Sequence, residues 1–201
     1  LVISILSLVF LTVSYLVVLT LLPDSDSGDD SIAMISGNAS DISIITVKYP
    51  QSLFGGYKYV IFKDDTREDD TYVFYDNGID DEFIYSQGSL EQAFTRLMAL
   101  KAKSLVVEET DNLSQYGLDD ASAVKVGAKP YEDSTAPAVT LLIGSKNQIS
   151  NGYYAKFPDK PEVYLISTTD ARTYVAGSLR YRATEIIPSF GEYYDEIKKV
   201  T

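Results

Sequence analysis

The first 22 residues, Leu1 to Leu22, carry no charged side chain, and their polar members are Ser4, Ser7, Thr12, Ser14, Tyr15 and Thr20. As a helix this stretch spans roughly 33 Å, which matches the roughly 30 Å hydrocarbon layer of a bilayer. A helix buried in a soluble core is rarely apolar all round. A cleaved signal peptide has a shorter apolar stretch of about 7–15 residues that ends at a small-x-small site. Here the run continues to Leu21-Leu22-Pro23. Residues 1–22 therefore read as a single transmembrane helix, retained as an anchor in the lipid bilayer. The chain has no Cys, which removes a lipidated N-terminal cysteine. It opens at Leu1 without Met or a basic flank, so further residues are expected before it.

Lys and Arg beside a membrane helix are held preferentially in the cytoplasm. The first basic residue after the run is Lys48, whereas Asp24, Asp26, Asp29, Asp30 and Asp41 come before it. The remainder of the chain is expected outside the cytoplasm. All 17 basic and 29 acidic residues lie in that remainder, which carries the whole net charge of −12. Such a surface is a poor partner for nucleic acid, whose binding requires phosphates to be neutralised by Lys and Arg. With neither Cys nor His, the chain has no thiol nucleophile, disulfide, Cys/His zinc site or His general base. An exported domain without disulfides fits a bacterial source.

Residues 23–40 read as an acidic flexible linker, because Pro23 to Ser31 shows no periodicity and is built from Pro, Asp, Ser and Gly. The folded domain is expected over 41–201, with a division into 41–110 and 111–201 left open. Ile42 to Tyr49, Tyr57 to Lys63 and Thr71 to Tyr75 are β-rich runs. Asp76-Asn77-Gly78 supplies a hairpin-turn signal, and a short strand is expected from Glu82 to Tyr85. Ser89, with Gln92 three residues on, marks a helix start whose buried face is Leu90, Ala93, Phe94 and Leu97, followed by Leu100 or Lys101. A strand at Leu105–Val107, a short turn of helix stopped by Gly117, and further strands near 123–128, 138–143, 152–157 and 162–166 follow. A second helix is expected over 169–179, weakened by Gly177. The fold class is thus α+β: a transmembrane helix, then a mainly antiparallel sheet with one or two packed helices.

Four segments carry a resemblance: Leu113 to Asp119, with Tyr116-Gly117-Leu118-Asp119 at its end; Val139 to Ser145; Gly152-Tyr153-Tyr154-Ala155-Lys156; and Val163-Tyr164-Leu165-Ile166. In this order and spacing the chain resembles the bacterial family called domain of unknown function 4340. Residues 42–108 are similar to the family's lead-in, although the Trp that many members have in the second strand is absent and Phe62 or Tyr59 stands in its place. The resemblance covers about three quarters of the chain and implies a single-pass extracytoplasmic protein, as in members found beside auxiliary subunits of gliding-motility-type ABC transporters. Many members are longer and repeat the unit, so a chain that ends in an unfinished element at Tyr193–Thr201 is expected to be a one-repeat or a truncated member.

The candidate sites are weak. The acidic clusters Asp64–Asp70 and Asp76–Glu82 lack the spacing of a calcium loop and read as solvated turns. Pairs of carboxylates suited to a glycosidase arise by chance in any acidic chain. Gly55-Gly56 and Gly144-Ser145-Lys146 match no phosphate loop, and the sequons at Asn38 and Asn112 mean little in a bacterium. The 16 Tyr and 8 Phe point to strands in which some rings pack inward and others face a partner. Tyr153 and Tyr154 are the candidate partner-binding surface. No catalytic residue, cofactor or metal ligand is expected. The expected function is a non-enzymatic accessory or scaffold component of a transporter-associated envelope complex whose partners are membrane or envelope proteins. The alternative is an extracellular substrate- or glycan-binding module.

Overall fold

The computed structural model describes residues 31–64, 66, 71–76 and 85–183. Outside them lie the run 1–22, the linker up to Asp30, most of the first acidic cluster, the Asn77-Gly78 turn, residues 82–84 of the expected short strand and the final segment. Among the described residues no helix is long and apolar enough to cross a membrane.

The described residues belong to one compact unit, an α+β domain in which they build a nine-stranded sheet. Its strands are β1 (Ile32–Ala33), β2 (Ile42–Lys48), β3 (Lys58–Asp64), β4 (Thr71–Asp76), β5 (Lys101–Val107), β6 (Val124–Pro130), β7 (Val139–Asn147), β8 (Gly152–Lys156) and β9 (Val163–Ser167). Helix α1 (Gln87–Met98) separates β4 from β5, and α2 (Thr168–Val175) follows β9. The spatial order is β1-β5-β9-β8-β7-β6-β2-β3-β4. Every pairing is antiparallel. Most neighbours are sequential hairpins; α1 carries the chain from one edge strand, β4, to the far side of the sheet.

Several boundaries differ from the sequence reading; β5 begins at Lys101, not at Leu105, because the helix whose face was expected to run on to Leu100 or Lys101 ends at Met98. Residues 31–40, placed there in the linker, contain β1, which pairs with Lys101 and Ala102. Met34 and Ile35 N–H then donate to Leu100 O, and Ile35 is buried. Tertiary partners distant in sequence order this segment, and no local propensity announces them. Helix α1 starts before Ser89: Ser86 is the N-cap, and its side chain accepts from the Ser89 N–H at 3.3 Å. Both serines suit a cap, and the earlier one prevails. Helix α2 stops at Val175, ahead of Gly177, which has φ +77°.

Both helices lie on one face of the sheet. Leu90, Ala93, Phe94, Leu97 and Met98 of α1, as the 3–4 spacing predicts, and Ala171 and Tyr174 of α2 pack there. They meet Ile45, Val47, Tyr59, Ile61, Val126 and Leu141, among others. The opposite face holds a smaller cluster, Leu118, Ala123, Leu142 and Val163, beneath the segment between β5 and β6.

Candidate functional site

The four segments that carry the family resemblance converge on that second face. A turn of 3-10 helix over Leu113–Tyr116 ends at Gly117, whose φ of +65° favours glycine. The turn lies on β7 at Gly144: a Cβ there would stand 3.0 Å from the Gly117 carbonyl carbon and oxygen and closer still to Tyr116 O. Tyr116 meets Tyr154 edge to face at 4.9 Å between centroids, and Asn147 Nδ2 donates to the Tyr154 hydroxyl at 2.8 Å. A Cβ on Gly152 would stand 2.6 Å from Ile166 O on β9. These motif residues are therefore a docking device that closes a loop onto the sheet.

Tyr153 and Tyr154, the expected partner surface, are adjacent on β8, so they project from opposite faces. Tyr153 packs against the main core and Tyr154 against the small cluster. Both are half-buried, and the two rings form no common surface.

Much of the tyrosine bias is explained on the helical face. The end of α2 leaves carbonyls without helical partners, and hydroxyls of Tyr49 just past β2, Tyr59 on β3 and Tyr181 in the 3-10 turn after α2 reach them. Tyr49 donates to Tyr174 O and accepts from the Gly177 N–H at 2.9 Å. Tyr181 donates to Thr173 O. The Tyr59 hydroxyl lies 3.2 Å from that of Tyr181 and 3.4 Å from Tyr174 O. Tyr174 donates to Ala93 O of α1 at 2.6 Å. Burial pushes the Tyr49 hydroxyl up to about 12. Burial likewise raises Tyr59, Tyr174 and Tyr181, and it raises Tyr57 together with its hydrogen bond to Asp76. Neutral, hydrogen-bonded phenols of this kind support structure and supply no base.

A cleft of about 750 Å³ opens where β1's exit segment, the loop before β7 and the loop after β8 meet. Met34, Met98, Phe157 and Pro137 give it apolar walls, and Asp41, Asp159 and Lys160 bring charge. Lys160 Nζ lies 4.7 Å from the Phe157 ring centre. The volume falls in the range of ligand sites, roughly 300–1,000 Å³. Sequence reading missed this cleft because its walls come from three segments far apart in the chain. Among the described residues no group of three acidic side chains is placed to hold a metal ion.

The second face of β2, β3 and β4 was also missed. Register sets Ile44 beside Phe62 and Phe62 beside Val73, and Val60 beside Tyr75. Ile44, Val60, Phe62 and Val73 are half-buried and, among the described residues, join neither hydrophobic cluster, and Tyr75 is 59% exposed. A signal was present: Tyr59-Val60-Ile61-Phe62 is apolar without alternation, as in a strand that is apolar on both faces.

No curated protein and no solved structure matches the chain. The family model described as Domain of unknown function (DUF4340) matches residues 80–193, more than half of the chain and all four motif segments. On this match the chain belongs to the DUF4340 family.

Proposed function

We propose that the protein is a non-enzymatic, membrane-tethered scaffold or accessory component of an envelope complex, facing away from the cytoplasm, and that it holds a segment of a partner membrane protein in the cleft. The cleft is the observation that carries this reading. Its mixed walls, Met and Phe beside Asp41, Asp159 and Lys160, suit an extended peptide segment with apolar and charged side chains, because thioethers adapt to irregular shapes. A transporter subunit is the partner favoured by the family resemblance. A second reading, a small hydroxylated substrate or glycan, draws on Ser36, Thr135 and Thr140 in the same walls.

The tether and the cleft are tested together. With its native N-terminus the chain should resist alkaline carbonate extraction, and external protease should digest its domain; release of a soluble species beginning near Asp24 would refute the anchor. Ala138 is exposed in the cleft wall, so Ala138→Trp fills the cleft without entering the core. In native membranes, crosslinking should capture an integral membrane protein with the wild type and lose it with Ala138→Trp. Equal capture by both would exclude the cleft as the binding site. Loss of binding to a glycan array in place of a protein would favour the second reading.

A further inference from the structure

On the face opposite the helices, antiparallel register sets three lysines side by side: Lys58 on β3 is directly opposite Lys48 on β2, which is directly opposite Lys125 on β6. Directly opposed residues have Cβ atoms about 4.5–5.5 Å apart, and like charges so placed destabilise a sheet. Lys125 is relieved by Asp120, whose carboxylate lies 2.7 Å from its Nζ. Among the described residues neither Lys48 nor Lys58 has a carboxylate at ion-pair distance, and both are exposed. The carboxylate on this face of β3 is Asp64, about 20 Å along the strand, where it holds Thr66. Asp76, near the row in sequence, turns to the other face and accepts from Tyr57. In a chain of net charge −12, a row of opposed lysines carries a repulsion that an external anion would remove.

The rows beside it complete the pattern. Thr46, Val60 and Tyr75 form the next row, and Ile44, Phe62 and Val73 the one after, ending on β6 at Lys129. Lysines thus border an apolar, aromatic-bearing strip. Such a face matches an anionic phospholipid surface, where ammonium groups meet phosphates and rings settle at headgroup level. An acidic peptide would satisfy the lysines but gives no reason for two half-buried rows, with Tyr75 exposed, whose Ile44, Val60, Phe62 and Val73 join neither core cluster of the described residues.

We infer that this face of β2, β3, β4 and β6 docks the domain onto anionic phospholipid headgroups, with Lys48 and Lys58 as the principal phosphate contacts. The inference rests on the membrane-tethered reading for its setting, and it concerns a different surface from the cleft. The test reconstitutes the full chain in nanodiscs of phosphatidylcholine alone or of equal parts phosphatidylcholine and phosphatidylglycerol, each with a headgroup-borne photocrosslinker. Peptides from residues 42–64 should be labelled in the anionic discs, and labelling should fall with added salt. A lysine beside an anionic surface contributes about a five-fold gain in affinity, so Lys48→Gln/Lys58→Gln should lower labelling by about twenty-five-fold.

The double variant should melt at the same or a higher temperature in phosphatidylcholine discs, since it removes a like-charge pair, so loss of folding cannot account for lost labelling. Equal labelling in the two lipids, or labelling indifferent to the double variant, overturns the inference; capture of an acidic protein with no lipid labelling does so as well. Failure of the tether would appear separately, as a chain that does not enter the discs. The same lysine comparison would then be made by flotation with preformed anionic vesicles, where lysine-dependent binding still supports the docking face and its absence refutes it.

Discussion

Replacing Gly144 by Ala should undock the loop that carries the family motifs. The new Cβ would stand 3.0 Å from the Gly117 carbonyl carbon and oxygen and closer to Tyr116 O, where carbon contacts are normally about 3.5–4.0 Å. The obstructing atoms are backbone, so no rotamer change relieves them, and the loop must lift. Overpacking of this kind costs about 1–3 kcal/mol. The loop also carries Leu118, 1% exposed, over Leu142 and Val163; complete undocking would add about 2 kcal/mol for its lost burial. Complete undocking thus costs about 3–5 kcal/mol, or roughly 6–20 °C in melting temperature for a domain of this size. The assay is thermal and urea unfolding of the whole chain in detergent, with hydrogen exchange at the Leu118 N–H, which donates to Leu113 O at 3.0 Å. Gly117→Ala lifts the same loop, so the double variant should fall short of the sum of the two single effects. Gly88→Ala is the control of opposite sign: it lies in the first turn of α1 with nothing within 4 Å of the added Cβ, and should stabilise by about 0.5–1 kcal/mol. A Gly144→Ala protein within about 0.5 kcal/mol of wild type, with Leu118 still protected, would refute the docking argument.

Two further outcomes follow from the tyrosines at the end of α2. Tyr49→Phe removes a donor to Tyr174 O and the acceptor for the Gly177 N–H, leaving that buried N–H unpaired and Tyr174 O with only the 3.4 Å bond from the Tyr59 hydroxyl. It should cost about 1–3 kcal/mol in urea unfolding, and a change below about 0.5 kcal/mol would show that water replaces the hydroxyl. Alkali should act on the same group: a tyrosine whose folded pKa is raised above its unfolded value of about 10 gives its full stabilisation below that value and loses it as pH rises. With Tyr49 pushed up to about 12, and Tyr59, Tyr174 and Tyr181 also raised, stability should fall from about pH 10 through about pH 12. Tyrosinate absorbance should rise late and together with unfolding. A smooth titration of all tyrosines near pH 10, with the fold intact, would contradict the buried network.

Local chemistry was sufficient for several features of this chain. The 3–4 spacing of Leu90, Ala93, Phe94 and Leu97 specified the buried face of α1, and the β-branched and aromatic runs marked strands within a few residues, because both follow from periods of 3.6 and 2 that need no distant partner. The four motif segments pointed to the DUF4340 family because they follow one another along the chain with the family's spacing. Only the tertiary structure decided what depends on neighbours remote in the chain. Residues 31–40 leave the linker because β5 offers Ile32 and Ala33 a ladder. Gly144 must be glycine because Tyr116 O lands on it. Tyr49, Tyr59 and Tyr181 are spent on carbonyls of α2, more than 100 residues along for the first two. Tyr153 and Tyr154 look like one surface in the sequence, yet strand alternation and the sheet's two clusters divide them. The opposed lysines could not be read from Lys48, Lys58 and Lys125 singly, since strand order and register alone make them neighbours. Propensity acts over a few residues, whereas a cleft or a charged row is made where the chain returns to itself.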